Sequence, residues 1–335
     1  MSKVKGIIGA HSGHDTNICI LEEGSISYYN KAERLSRIKR DSSPPEDMFI
    51  WQEVREAVAK VDISDAIYGT PYNVIPGVYG WHNSRWPRAF SPAVKHTLWE
   101  DHHLGHAANA FYGSGFDKSY VLVIDRNGSF DVKEGMPSGC QTETLYYCEY
   151  PNTFTEVFSN KSWLGITGKY CVMSHHLGFN ELDNGKTMGL SCYGKYQKNA
   201  YKVLDSGFKA ASSQQLLALI GDSKVRHDFL MSIDDTHSPE DLAATVQQNT
   251  SKEILDLIGS IDFRKTDNLC FTGGHAQNCM LNTEITKTYP DINLYVDPLS
   301  DDSGCSIGYA KYTWHKNTGS RVIEPLESTF FIGGT

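Results

Sequence analysis

A strand–turn–strand pattern occurs twice in the chain and constrains its fold more than any other feature. The apolar runs VKGIIGA (4–10), NICIL (17–21) and SISYYN (25–30) are separated by the turn sequences HSGHDT and EEG. The pattern returns at residue 119 with the run SYVLVID, the turn RNGSFD, a loop rich in glycine and proline, and the run TETLYYCEY. Short apolar runs between glycine and polar residues predict strands. Because the pattern opens each half of the chain, we expect an α/β fold in which a duplicated domain forms two lobes around a cleft.

Helical patterns follow each of these units. A helix is expected from about Ala32, and a second begins at SPEDLAATVQQN, with Ser238 as N-cap and Pro239 at the first helical position. The segment NLCFTGGHAQNCMLNTEI predicts a strand, a Gly-Gly turn and a helix, and INLYVDPLSDDSGCSIGYAKYTWH repeats this order. Such turns present backbone N–H groups at a helix N-terminus, where phosphate binds favourably.

Charge and composition exclude several classes of protein. The formal net charge of -9 over 335 residues argues against a broad nucleic-acid surface. No signal sequence is evident, and no apolar run approaches the roughly 18 residues of a membrane span. The eight cysteines contain no C-x-x-C pair, which favours reduced thiols. We therefore expect a cytoplasmic protein with neither a membrane nor a nucleic acid as partner.

Three histidines lie within the segment DHHLGHAANAFYGSGF (101–116). Asp101 is a candidate N-cap for a helix on which His102 and His106, four residues apart, share one face and could bind one ion. His103 would point about 100° away. The segment lacks the glutamate of a zinc protease motif. The spacing leaves two interpretations open, a metal site and a set of ordinary buried or surface histidines.

Other candidate site residues lie in glycine-rich or acidic loops. A metal would need a further oxygen ligand, and Asp301 or Asp302 could supply it from a loop between a strand and a helix, although Asp302 could instead cap the helix that starts near Ser303. The Gly273-Gly274 turn permits close approach of a phosphate to the backbone. A second loop, DNGKTMGLSCYGKY (183–196), carries Lys186. The basic stretch ERLSRIKRD (33–41) is either a solvated surface or a phosphate contact.

Six motifs occur in an order that resembles a known family. They are GHDTNICILEEGSISYYNKAERLSRIKRD, DHHLGHAANAFYGSGF, VLVID, NGKTMGLSCYG, FTGGHAQNCMLNTEI and DDSGCSIGYA. Together they resemble the N-terminal domain of the O-carbamoyltransferases of nodulation and antibiotic pathways, a relative of the threonylcarbamoyl-transferring subunit that modifies tRNA. The resemblance implies an actin/Hsp70/sugar-kinase fold around a nucleotide cleft. It implies a first lobe over 1–117, a second over 118–325 with the nucleotide and metal motifs, and at 326–335 a linker to an absent C-terminal domain.

The resemblance also implies roles for particular residues. His102, His106 and Asp302 would hold a metal, iron or another divalent ion. His14 and Asp15 would face the cleft from the first-lobe turn. The residues implied to contact the nucleotide are Gly273, Gly274, Asn278, Lys186, Met188 and Gly189. The basic residues implied near the substrate are Arg34, Arg37 and Lys39.

The implied reaction has two stages. Carbamoyl phosphate and ATP give carbamoyl adenylate, a step expected in the absent domain or in a separate chain. The present domain would transfer the carbamoyl group to a hydroxyl-bearing acceptor. A neutral histidine, His14 or His103, would act as general base. Because metal binding requires deprotonated histidines, we expect activity to fall below about pH 6.

One turn and the chain's end depart from the family pattern. After the second-lobe strand the family has Asp-Gly-x-Gly-Glu, whereas this chain has Asp125-Arg126-Asn127-Gly128-Ser129. The chain ends where a linker would begin, which fits a fragment, a split protein or a reduced member.

Three other functions stay open. They are threonylcarbamoyl transfer to tRNA, disfavoured by the charge; a non-catalytic ATP-binding scaffold; and sugar or acetate kinase chemistry, disfavoured because such kinases hold Mg²⁺ through oxygen.

Overall fold

Two mixed β-sheets form the framework of the chain. The computed structural model describes residues 6–70, 90–133, 136–180, 182–204 and 231–321. The first sheet contains β1 (Gly6–His11), β2 (Asn17–Glu22), β3 (Ser25–Lys31), β4 (Ile63–Gly69) and β5 (Lys95–Trp99) in the order β3-β2-β1-β4-β5. Strands β1, β2 and β3 pair antiparallel, whereas β4 and β5 add in parallel. The three strands predicted between residues 4 and 30 are confirmed within one or two residues over the described part.

The second sheet pairs its strands in the same way. Its members are β6 (Lys118–Ile124), β7 (Phe130–Lys133), β8 (Met136–Glu149), β9 (Thr153–Ser162), β12 (Asn268–Thr272) and β13 (Asn293–Val296). Two further strands, β10 (Tyr201–Val203) and β11 (Met231–Ile233), form a separate pair between β9 and β12 in the chain. Strands β6, β8 and β9 pair antiparallel. Strands β12 and β13 add to β6 in parallel. The order β9-β8-β6-β12-β13 therefore matches that of the first sheet.

The predicted turn at 126–131 is too long. Phe130 and Asp131 belong to β7, which pairs with the start of β8, and Phe130 lies opposite Cys140. The glycine- and proline-rich segment before residue 142 was expected to be a loop, but residues 136–141 are part of β8. Pairing with two neighbouring strands supplies the hydrogen bonds that outweigh the low strand propensity of this segment.

Eight α-helices connect the strands within the described residues. They are α1 (Ala32–Ser36), α2 (Gln52–Ala59), α3 (His102–Ser114), α4 (Ile166–His176), α5 (Asn184–Ser191), α6 (Pro239–Gly259), α7 (Cys279–Thr288) and α8 (Cys305–Thr318). The predicted caps are confirmed: Asp101 accepts a hydrogen bond from the Leu104 backbone N–H, and Ser238 accepts one from that of Asp241. No helix in the described ranges is long and apolar enough to cross a bilayer.

Helices α3 and α8 pack closely and place the candidate site between the two sheets. A Cβ on Gly308 would lie 2.1 Å from the Gly105 carbonyl oxygen, so the two backbones meet without side chains between them. On its other side α8 packs on β1 and β2, while α3 packs on β6 and β12. A buried apolar cluster of Ile7, Ile67 and Ile307 with their neighbours fills the space between the first sheet and α8. Residues 326–335, expected to start a linker, lie outside the described residues.

Candidate functional site

Two histidines of α3 direct their Nε2 atoms at the same point. The Nε2 atoms of His102 and His106 are 3.1 Å apart, and both side chains are buried. Asp302 Oδ1 lies 3.3 Å from the first nitrogen and 3.4 Å from the second. Asp125 Oδ2 lies 3.5 Å and 3.8 Å from them. The structure therefore brings together the three residues of the implied metal set and adds a second carboxylate.

Each carboxylate reaches the histidines from a sharp turn. Asp125 directly follows β6, and its Oδ1 accepts a hydrogen bond of 3.1 Å from the Gly274 backbone N–H. Asp302 lies in a 3₁₀ turn, Asp302–Gly304, that leads into α8. The cap of this turn is Asp301, whose Oδ1 accepts from the Ser303 N–H at 3.0 Å. The alternative in which Asp302 serves as a helix cap is therefore wrong, and its carboxylate points to the histidines.

The donor set fits a divalent cation. Two ligand atoms at about 2.1 Å from one ion are roughly 3.0–3.4 Å apart, which matches the nitrogen separation of 3.1 Å. Neither Nδ1 of His102 nor that of His106 has a hydrogen-bond partner among the described residues, although both atoms are buried. Two imidazoles with two carboxylates suit iron and similar divalent metals.

The electrostatics of the cluster favour positive charge. Burial disfavours the charged form of His102, but Asp302 and Asp125 outweigh it and raise the pKa of this histidine to about 10. For His106, burial again opposes the charge, while Cys305 and Asp302 raise its pKa to about 10. Burial opposes the charge of Asp302 too, but His102 and His14 hold its pKa well below the ordinary value. Protons and a metal cation would therefore compete for these atoms.

A buried tyrosine and a buried histidine form a chain of hydrogen bonds that ends at Asp302. His11 Nε2 is 3.1 Å from Asp302 Oδ2, and His11 Nδ1 is 3.1 Å from the Tyr309 hydroxyl. Both rings are fully buried. Sequence analysis missed His11 and Tyr309 because His11 is remote in the chain from both of its partners, Asp302 and Tyr309.

His14 and Asp15 face the cavity beside Asp302, as the resemblance implies. His14 Nδ1 is 2.6 Å from Asp15 Oδ2, and Asp15 Oδ1 accepts from Lys31 Nζ at 2.8 Å. His14 Nε2 lies 3.6 Å from Asp302 Oδ2. Burial lowers the pKa of His14, but the charge of Asp302 and the hydrogen bond to Asp15 raise it to about 9. In this state the imidazole is charged at neutral pH, contrary to the expectation of a neutral base.

His103, the other candidate base, points away from the cavity. Its side chain is fully buried, and Nδ1 lies 2.7 Å from the Thr144 hydroxyl. A Cβ on Gly128 would lie 2.7 Å from His103 Nε2, so the ring is enclosed by the turn before β7. Burial lowers its pKa well below the ordinary value. A proton exchange between His103 and a bound substrate has no path in this arrangement, so we correct its assignment as a base.

A cavity of about 600 Å³ opens beside the cluster of His102, His106, Asp125 and Asp302, a size typical of small-ligand sites. Asp125 and Asp302 line it together with His14 and Asp15. The cations on its wall are Lys39, Arg40, Arg126 and Lys186. Arg40 and Arg126 were not predicted as site residues, although both are adjacent to or within motifs that the sequence had marked.

The glycine turn contributes to the cavity, with one difference from expectation. Gly274 and Asn278 line the cavity, whereas Gly273 does not. Gly273 instead allows the turn, because its φ is 90° and a Cβ there would lie 2.3 Å from the Ile124 carbonyl oxygen. The Asn278 side chain caps α7 by accepting from the Leu281 N–H, and it donates to Gln247 Oε1 at 2.9 Å. A phosphate contact by Asn278 would compete with these hydrogen bonds.

The segment predicted as a second glycine loop instead forms helix α5 over most of its length, because residues 184–191 are helical. This helix and the basic stretch contribute only some of their predicted residues. Lys186 and Met188 line the cavity, but Gly189 lies outside its lining. Lys39 lines the cavity, and its Nζ lies 3.1 Å from Asp183 Oδ1, while Lys186 Nζ lies 2.8 Å from Oδ2 of the same carboxylate. Arg34 and Arg37 are exposed and lie outside the lining. The structure therefore places the basic contribution of this stretch at Lys39 and Arg40.

Comparison with protein families gives one match over residues 85–311, to the family described as carbamoyltransferase N-terminus. The matched segment includes α3, the glycine turn and the turn that carries Asp302. The chain belongs to this family.

Curated relatives are consistent with this membership. The chain is 27% identical over 238 residues to the nodulation protein NolNO of Sinorhizobium fredii, covering 69% of this chain and 33% of the relative. It is 29% identical over 220 residues to the nodulation protein NolO of Bradyrhizobium diazoefficiens, covering 63% and 37%. The chain thus spans about a third of the length of these relatives.

Solved structures of HypF share the fold. Full-length HypF in its phosphate- and nucleotide-bound form superposes with a TM-score of 0.55 at 13% identity, over 95% of this chain and 47% of that one. HypF of T. kodakarensis gives a TM-score of 0.51 at 12% identity, over 93% and 48%. At these identities the likeness concerns the mixed α/β fold alone.

Proposed function

We propose that this chain is the transfer domain of an O-carbamoyltransferase. It would move a carbamoyl group from carbamoyl adenylate to a hydroxyl of a small-molecule or nucleotide acceptor. A separate domain or chain would make the donor from carbamoyl phosphate and ATP. The two sheets, with their matching strand order, would be copies of one unit around a nucleotide cleft. A cytoplasmic location is part of the proposal, and the eight free thiols support it.

The observation that carries the proposal is the position of two carboxylates. Asp125 and Asp302 line the cavity and at the same time lie within 3.8 Å of the His102 and His106 nitrogens. A ligand in the cavity would therefore lie next to the candidate metal cluster. The family membership supplies the class of reaction, and this juxtaposition supplies a place for it.

The residues that would hold the metal are His102, His106, Asp302 and Asp125. A divalent cation bound there would act as a Lewis acid on the carbamoyl carbonyl. We infer iron as the ion, in keeping with the mixed nitrogen and oxygen donors.

The chain's own side chains would bind and orient the donor. Lys39, Arg40 and Lys186 line the cavity and would attract the anionic phosphate of the adenylate. His14, oriented by Asp15, would donate a hydrogen bond to the phosphate oxygen that leaves the carbamoyl carbon. As the acceptor oxygen bonds to the carbamoyl carbon and the bond to the phosphate oxygen breaks, the His14 proton would pass to that leaving oxygen and the acceptor's hydroxyl proton would pass to solvent.

The test is release of AMP from two adenylates. The full chain is loaded with Fe²⁺ and given carbamoyl adenylate with a panel of sugars, nucleosides and aminoglycosides as acceptors, or threonylcarbamoyl adenylate with the same panel and tRNA. We expect metal-dependent release from carbamoyl adenylate, lost in His106→Ala and kept in His237→Ala, a variant of a surface histidine. Release only from the threonyl compound would indicate tRNA modification instead. No release from either by folded, metal-loaded protein would contradict transfer and favour the scaffold function.

A further inference from the structure

We infer that Cys305 is a thiolate ligand of the metal centre, so that the donor set contains sulfur as well as nitrogen and oxygen. The inference rests on the proposed function, because it concerns the same centre. It adds a residue that neither the histidine motif nor the acidic loop suggested. Its chemical consequence is the choice of metal, since thiolate donors favour Zn²⁺, Co²⁺ and Fe²⁺ over Mg²⁺, Mn²⁺ and Ca²⁺.

The geometry places the sulfur within the cluster. Cys305 Sγ, one Asp302 oxygen and one nitrogen from each of His102 and His106 all lie within 4.8 Å of one another. All four side chains are buried. Among the described residues this is the one group of three or more such side chains that could hold an ion.

Local structure fixes the position of the thiol. Cys305 is the first residue of α8 and directly follows the 3₁₀ turn that carries Asp302, so one turn delivers both side chains. Helix α8 is held against α3 by backbone contact at Gly308 and Gly105. A Cβ on Gly304 would lie 2.2 Å from Asn109 Nδ2, which shows equally close packing one residue before the thiol.

The surroundings of Cys305 differ from those of an ordinary buried cysteine. Cys148 and Cys270 belong to an apolar cluster with Val121, Val123 and Phe111 and behave as small apolar side chains. Cys305 likewise belongs to an apolar cluster, with Ile7 and Ile307, but it also adjoins two imidazoles and a carboxylate. These polar neighbours distinguish Cys305 from the other two thiols and suit a ligand. When the bond to the ion forms, the S–H bond breaks and its proton passes to solvent.

The test is the absorption spectrum of the cobalt-loaded protein. Metal-free full-length chain, with the exposed Cys192 and Cys279 replaced by serine, receives one equivalent of Co²⁺. Visible d–d bands report binding, and a near-ultraviolet cysteinate-to-cobalt band reports a sulfur ligand. We expect both in this background and in the control Cys148→Ala. In Cys305→Ser we expect the charge-transfer band to vanish and Zn²⁺ affinity to fall roughly 10-fold or more, with Mn²⁺ affinity nearly unchanged.

The outcomes separate this inference from the proposed function. Bound cobalt without a charge-transfer band, or a band that survives in Cys305→Ser, would overturn the sulfur ligand and leave the histidine and carboxylate centre in place. Free cobalt with no d–d bands in the parent would overturn the centre itself. If Cys305→Ser fails to fold, the ¹¹³Cd chemical shift of the cadmium-loaded parent decides, because sulfur ligation shifts it far from the range of nitrogen and oxygen donors.

Discussion

The two faces of α3 carry the same residue type in opposite environments. His102 and His106 on one face meet Asp302 and Asp125, and the pKa of each rises to about 10 despite complete burial. His103 on the other face meets a hydroxyl, and burial lowers its pKa well below the ordinary value. Burial is equal on both faces, so the charge of the partners decides. The carboxylates therefore make the face of His102 and His106, and not that of His103, the candidate cation site.

Carboxylates along the first face show the same contrast. Asp302 lies beside two imidazoles, which hold its pKa well below the ordinary value despite burial. Asp297 follows β13 and lies beside α3 about one turn beyond His106, where Asn109 donates a hydrogen bond to Asp297 Oδ1 at 3.0 Å. Burial raises the pKa of Asp297 to about 6, although the hydrogen bond from the Leu299 N–H and the charge of Lys311 both favour the ionised carboxylate. The hydrogen bonds and the Lys311 charge compensate the buried charge of Asp297 less than the histidine pair compensates that of Asp302.

The largest effect is expected from Asp302→Asn. The substitution keeps the shape but removes the charge that two buried histidines share, so we expect metal affinity to fall roughly 1,000-fold, about 4 kcal/mol. Competition with a chromophoric chelator measures it. Asp301→Asn is the matched control, because the Asp301 carboxylate caps the adjacent turn and bonds Gln277. Equal losses in both variants would contradict the distinct role of Asp302.

Asp297→Asn should change how stability depends on pH. A pKa of about 6 in the folded state and 3.8 unfolded means that the folded chain binds the proton more tightly. The free energy of unfolding of the wild-type chain should therefore fall by up to roughly 3 kcal/mol as the pH rises from 4 to above 6 and Asp297 ionises. Denaturant unfolding should show that the free energy of unfolding of the variant, relative to that of wild type, is greater at pH 8 than at pH 4. A difference independent of pH would contradict the raised pKa.

A smaller effect is expected where the two helices touch. In Gly308→Ala the new Cβ would meet the Gly105 carbonyl oxygen at 2.1 Å, so α8 must move from α3. We expect a loss of about 1–3 kcal/mol in unfolding free energy and weaker metal binding. Gly189→Ala is the control, since no atom lies within 4 Å of its Cβ position, and helix propensity predicts a gain of about 0.5–1 kcal/mol. Equal effects on metal binding would contradict the role of the α3–α8 contact.

Local patterns in the sequence predicted local structure well. The strands of the first unit, the Asp101 and Ser238 caps and the shared face of His102 and His106 all follow from short-range rules. The β7–β8–β9 hairpins did not, because ladder hydrogen bonds to β7 and β9 outweigh the glycine and proline signals of residues 136–141.

Contacts between distant segments could not be predicted from local sequence patterns. The resemblance implied that Asp302 meets the histidines, which periodicity could not show across the intervening chain. Asp125 was visible as an acidic residue after a strand, but its turn departed from the family pattern. Cys305 and His11 had no local signal beyond proximity to known motifs, since their roles depend on how α8 packs against α3 and β1.

The most direct test of the contrast between the two faces is metal stoichiometry after Fe²⁺ loading and gel filtration. The parent, His106→Gln and His103→Gln are compared, each with its unfolding free energy. We predict about one iron per chain in the parent and in His103→Gln, which should lose stability because it loses a buried hydrogen-bonded ring. We predict little iron in His106→Gln. Iron retained by His106→Gln, or lost equally in His103→Gln while it stays folded, would contradict the account.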